Sequence, residues 1–70
     1  MKRRTDRQLV DTANALARRF YARMGYQVPE GYRFDEATHP HEVMCWENAV
    51  DAFTIIADVS VYDALANIED

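Results

Sequence analysis

Seventy residues carrying eight basic and twelve acidic side chains, for a net charge of −4, hold one hydrophobic core and exclude a second domain. A single cysteine, Cys45, excludes an internal disulfide, and 49% apolar against 29% charged residues excludes a disordered chain. A core this small ordinarily needs a staple, and with neither a disulfide nor a zinc-finger set of Cys and His, the expected staple is a second subunit.

Charge is divided along the chain. Residues 1–25 hold seven basic side chains against two acids, and residues 26–70 hold Arg33 alone against ten acids. A basic arm ahead of an acidic body would suit phosphate binding, but opposite charges on consecutive antiparallel helices also attract each other, and the negative total repels DNA. The balance argues against direct contact with nucleic acid. No apolar run approaches the roughly 20 residues of a membrane span, and the basic start from Met1 to Arg4 has no apolar stretch behind it, so the expected location is the cytoplasm.

The first helix is expected over residues 6–24. Thr5 or Asp6 can cap its orphan N–H groups, and Gly25 supplies a left-handed residue past its end. Leu9, Ala13, Leu16, Phe20 and Met24 recur at three- and four-residue steps, widened by Val10, Ala17 and Tyr21, and this stripe should face the core. Arg7, Asp11, Asn14 and Arg18 fall on the far side, which reads as a solvated face; Arg18, Arg19 and Arg23 together are a cluster able to grip an acidic partner.

From residue 25 to 38 the periodicity breaks, with Pro29 and Gly31 punctuating a loop whose Tyr26, Val28, Tyr32 and Phe34 are too apolar for a disordered linker. These side chains should fold back across the open end of a helix pair. Tyr32 has two readings, a structural one and an interface anchor.

A second helix is expected from about Pro40 to Ala57, since proline suits the first helical turn and Glu42 the positive helix end. Val43, Trp46, Ala49, Val50, Phe53, Ile56 and Ala57, with Cys45 and Ala52, cover nearly half its circumference, more than one neighbouring helix can bury. Two contacts are implied: one to the first helix through Val43, Val50 and Ala57, and a homodimer interface through Trp46, Ala49, Phe53 and Ile56. On the opposite face Met44 and Ile55 stand among Glu47, Asp51 and Asp58, so Met44, Ile55, Asp51 and Asp58 are candidate partner-binding residues, with Tyr32 beside them. The alternative is that the loop or the C-terminal segment covers them. Ser60 followed by Asp63 resembles a capping box, and Val61, Leu65 and Ile68 give a short third helix over about 61–68, ending in Glu69 and Asp70, with Tyr62 at its exposed edge. The expected fold is therefore all-α: an antiparallel helical hairpin plus a short C-terminal helix, one domain over residues 1–70, assembling as a homodimer.

Catalytic signatures are absent from this sequence: it has no glycine-rich phosphate loop, no G-x-S-x-G and no H-E-x-x-H. His39, His41, Glu42 and Cys45 form the one cluster with site-like chemistry. His41 and Cys45 at i, i+4 could hold two corners of a zinc site, but histidines around a helix-start proline more often cap it, and Cys45 reads as a small buried apolar residue. No metal, no cofactor and no enzymatic activity are expected.

The run DRQLVDTANALARRFY from Asp6 to Tyr21, the EGYRFD segment from Glu30 to Asp35, the HPHE and CW pairs between His39 and Trp46, and the DALANIED ending from Asp63 resemble the small early-region, anti-activator proteins of Mu-like transposable Pseudomonas phages. That resemblance covers most of the chain. It implies a helical homodimer made early in infection, acting in the cytoplasm of the host bacterium. It also implies that the chain binds a LuxR-type quorum-sensing transcription activator and stops it driving transcription. Proteins of this kind are also linked to inhibition of the type IV pilus assembly ATPase, which limits superinfection. No motif marks a contact residue, so none is carried over. Two other functions compete: a dimeric DNA-binding or transcription-regulating module, and a helical domain that assembles phage or cell components. A recognition helix wants basic and amide side chains, and the second helix carries Glu42, Glu47, Asp51 and Asp58 instead.

Overall fold

A computed structural model describes residues 5–68, which form three α-helices, a 3₁₀ turn and a π-turn, with no strand among the described residues. The N-terminal Met1 to Arg4 and the terminal Glu69 and Asp70, both used in the charge and helix-end readings, lie outside the described residues.

Helix α1 spans Asp6–Arg23. Thr5, not Asp6, is its cap: the Thr5 hydroxyl accepts from the Gln8 N–H at 3.1 Å, and the Gln8 side chain accepts from the Thr5 N–H at 2.8 Å, so two orphan donors are satisfied reciprocally. At the other end Gly25 adopts φ +92°. The Gly25 N–H then reaches the Ala22 carbonyl and the Tyr26 N–H reaches the Tyr21 carbonyl, and this closure sets the Tyr26 ring 5.0 Å from that of Tyr21, nearly parallel to it.

The buried stripe of α1 is Val10, Ala13, Ala17 and Tyr21. Leu9, Leu16 and Phe20 are only partly buried beside it, and Met24 is exposed, so the expected stripe is rotated by part of a turn. The reason lies in the neighbours. Helix α1 contacts both α2, spanning Pro40–Ala52, and α3, spanning Val61–Ile68, and alanines at the line of closest approach let two helices come near. Val61 and Ala64 are the residues α3 contributes to the core, with Leu65 and Ile68 half-buried against it. The Ser60 hydroxyl caps α3 by accepting from the Asp63 N–H at 3.2 Å, and Tyr62 is exposed.

Helix α2 begins as the proline requires, with His39 as cap: its Nδ1 accepts from the His41 N–H. Its inward face is Cys45, Trp46, Ala49 and Val50. Trp46 and Ala49, expected at a homodimer interface, are 5% and 0% exposed inside the protomer's own core. The apolar arc is indeed too wide for one helix, but the second neighbour is the loop: a 3₁₀ turn at Phe34–Glu36 sets Phe34 in the core against both α1 and α2. Of the three residues expected to meet the first helix, only Val50 is buried. Val43 is half-buried, and Ala57 is exposed.

Ala57 is exposed because α2 stops early. From Phe53 to Ala57 the chain forms a π-turn, closed by the Asp58 N–H on the Phe53 carbonyl, with the Val59 N–H on the same oxygen at 3.4 Å. Asp58 itself sits at φ 55°, ψ 44°, a left-handed conformation that Asp and Asn tolerate better than other side chains.

Candidate interaction surface

Two features of the structure bear on function: a polar latch that fixes the loop, and an apolar surface at the end of α2. The latch uses the face of α1 that the periodicity assigned to solvent. The Asn14 amide nitrogen donates to Asp35 at 2.9 Å and to the Val10 carbonyl at 3.1 Å, while its oxygen accepts from the Phe34 N–H. Arg18 donates to the carbonyls of Val28 and Pro29 at 3.2 and 2.8 Å. Arg33 grips Asp35 through two parallel bonds at 2.8 and 2.9 Å. Burial pushes the Asp35 carboxyl up, but the donors on Arg33 and Asn14 outweigh it and hold it below its ordinary value.

Glu42, at the third position of α2, accepts from both the Tyr21 and Tyr32 hydroxyls, tying the end of α1 and the loop to the start of α2. The hydrogen bond to Glu42, with burial behind it, pushes the Tyr32 phenol up to about 12. Tyr32 packs edge-on against Phe34 at 5.1 Å, so its hydroxyl and one ring edge are committed inside the protomer. Of its two readings the structural one describes this geometry, though Tyr32 stays half-buried with part of its surface open. The site-like cluster is likewise dispersed: His39 caps, His41 stacks on Tyr26, Glu42 holds two tyrosines, and the buried Cys45 directs its thiol at the Met24 sulfur 3.6 Å away. Burial raises the Cys45 thiol's pKa, which suppresses the thiolate a metal or an electrophile would need.

The second feature is open. The π-turn turns Ile55 and Ile56 outward, 81% and 84% exposed. Ile56 borders a groove of about 160 Å³ whose other walls are Leu16 of α1 and Ala52, Phe53 and Ala57. The groove is open to solvent, and every side chain that lines it is apolar. Of the four residues assigned to a dimer face, Phe53 and Ile56 meet at this groove, and Trp46 and Ala49 do not.

Met44, 45% exposed, and Ile55 lie on the outer side of α2 with Glu47 and Asp51, also exposed, between them in sequence. Asp58 terminates the π-turn, so its conformation already has a structural cause. Among the described residues the ion pair is Arg33–Asp35, which leaves Glu47, Asp51 and Asp58 unneutralised.

The loop latch escaped the periodicity because Asn14 and Arg18 look like ordinary wet positions. The signal that could have found them is the loop's own backbone, whose buried N–H and C=O groups must pair with something. The π-turn had a fainter signal, a β-branched Thr54-Ile55-Ile56 run followed by Asp58, where the Thr54 hydroxyl donates back to the Val50 carbonyl at 3.1 Å. No helix among the described residues is long and apolar enough to cross a membrane. The chain matches no protein-family model, no curated protein and no solved structure.

Proposed function

We propose that this chain is a non-catalytic interaction protein that inhibits a host protein by binding it. The observation that carries this is the pair Ile55 and Ile56, more than four-fifths exposed on an ordered turn beside an apolar groove. Two adjacent large aliphatic side chains gain nothing from water, and contiguous apolar surface of this kind marks contact with another protein. The resemblance to early-region anti-activator proteins of Mu-like Pseudomonas phages names the partner class: a LuxR-type transcription activator in the host cytoplasm, with the type IV pilus assembly ATPase as a second target. The all-α form is read as an antiparallel hairpin with a short third helix. The end of α1 at Tyr21 and Met24 meets the start of α2 at Glu42 and Cys45, and Leu16, further back on α1, meets Ala52 and Phe53 further along α2.

Self-association belongs to the same reading. Among the described residues the core holds three large side chains, Tyr21, Phe34 and Trp46, with valines, alanines and Cys45, and a second copy seated on the Leu16, Phe53 and Ile56 groove would extend it. A DNA-binding module is disfavoured by the acids on the outside of α2.

The test is titration of an activator-dependent reporter and of the purified LuxR-type activator. Repression should rise in proportion to the molar ratio and be lost in an Ile55→Ser, Ile56→Ser variant that keeps its helicity. Repression persisting at a small molar fraction of the target, or unaffected by that variant, overturns the reading.

A further inference from the structure

Met44, Glu47, Asp51 and Ile55 follow one another at steps of three, four and four residues, which places them in one stripe along the outside of α2 and into the π-turn. All four are exposed. At about 1.5 Å per residue the stripe is roughly 16 Å long, apolar at both ends and doubly negative in the middle. Neither carboxylate has an ion-pair partner among the described residues, and beyond Arg33 the described chain carries no Lys or Arg at all.

The geometry points to a basic amphipathic helix as the occupant of this stripe: a partner segment presenting two Lys or Arg side chains between two large apolar ones at the same three- and four-residue spacing. This deepens the binding-module reading and rests on it. A helix is the matching form, since i, i+3, i+7 and i+11 on one helix align with the same rows on another laid alongside. Charge fixes the polarity of the partner, because an acidic middle repels acidic helices and draws basic ones. The apolar ends supply what exposed ion pairs do not, since such pairs contribute little alone. Among the described residues a second copy does not offer the pattern: its exposed Arg19 and Arg23 stand four residues apart at the end of α1, which stops at Arg23, so no apolar helical residue follows them at the required spacing.

The experiment uses the full chain and synthetic helical peptides with leucines at the Met44 and Ile55 spacing. The two positions between them are lysine in one peptide, glutamate in a second and glutamine in a third. Fluorescence anisotropy should show saturable binding of the lysine peptide, weakened by salt, and none of the glutamate peptide. Glu47→Lys with Asp51→Lys should weaken the lysine peptide by roughly tenfold or more and transfer binding to the glutamate peptide. Ile55→Ser, with circular dichroism unchanged, should speed dissociation of the lysine peptide.

Equal binding of all three peptides, no binding of any, or a charge-reversed variant with unaltered preference overturns the inference. So does an Ile55→Ser variant whose main change is its sedimentation, since that assigns the stripe to a second copy. If the peptides fail while the intact activator is still bound and its binding survives the charge reversal, the stripe assignment is wrong and the inhibitory function stands. Loss of activator binding by every measure removes the function itself.

Discussion

Replacing Asn14 with alanine tests whether the loop is held by side chains of α1 or merely rests on the core. The substitution deprives the Phe34 N–H of its acceptor and takes a donor from the Asp35 carboxylate. A buried donor left unpaired costs about 1–3 kcal/mol, and a lost bond to a charged group about 1.5–3 kcal/mol. Asn14 and Asp35 are both half-buried, so water compensates part of each loss and the lower ends apply. Alanine's better helix propensity offsets about 0.5 kcal/mol, leaving a destabilisation of about 2 kcal/mol. That is a large share of the ~3–5 kcal/mol that a core of this size supplies. With a urea m-value of about 1 kcal/mol/M for so small a chain, the unfolding midpoint should fall by about 2 M with the slope unchanged. The Phe34 amide should also exchange its hydrogen up to about thirtyfold faster. Asn48→Ala is the control: Asn48 is exposed on α2 and has no partner among the described residues, so that change should be neutral or slightly stabilising. An Asn14→Ala midpoint within experimental error of the wild type would mean that the latch contributes nothing and that Phe34 alone anchors the loop.

Three further outcomes follow from the same geometry. Asp58→Gly should stabilise the chain by about 0.5–1 kcal/mol in thermal unfolding, because glycine adopts the left-handed conformation without a Cβ penalty, and Asp58→Ala should destabilise it. Tyr32 ionises near 12 in the folded chain against about 10 unfolded, so folding favours its neutral form. Its contribution is whole below about pH 10 and is lost as pH rises from there toward 12, and Tyr32→Phe should flatten the alkaline limb of a stability–pH curve. Trp46→Ala should cost about 3–5 kcal/mol and unfold the isolated chain, whereas Ile56→Ser should leave urea unfolding of dilute protein nearly unchanged while altering sedimentation at high concentration and partner affinity. The reverse order would return Trp46 to an intermolecular face.

The helices were legible because their signals are local. Thr5, Gly25, the His39-Pro40 start and Ser60 with Asp63 each act within four residues of the group they satisfy, and each sits at an end of its helix in the structure. The rotation of the α1 stripe was not legible, since Leu16 and Val10 are equally apolar and only the approach of two helices selects the alanine row as the buried one. The same limit explains Trp46. It shares one buried cluster with Phe34, twelve residues away and outside any helical periodicity, and a pattern read along one helix cannot contain a loop residue. Periodicity did place Met44, Asp51 and Ile55 on the solvent side of α2, because there the helix has no neighbour and its own repeat decides.

The loop links fold to proposed function. The loop packs on the helices with one buried aromatic side chain, Phe34, and with bonds to Asn14, Arg18 and Glu42. Those attachments reach the middle and later part of α1, at Asn14 and Arg18, and the start of α2, at Glu42. The far end of α2 receives none of them, and there the regular helix gives way to the π-turn that exposes Ile55 and Ile56. The loop bonds to the start of α2 and the isoleucines are exposed past its end, and this separation predicts a division of effects. Substitutions in the latch should change stability before they change partner affinity, and substitutions in the π-turn should change affinity before stability.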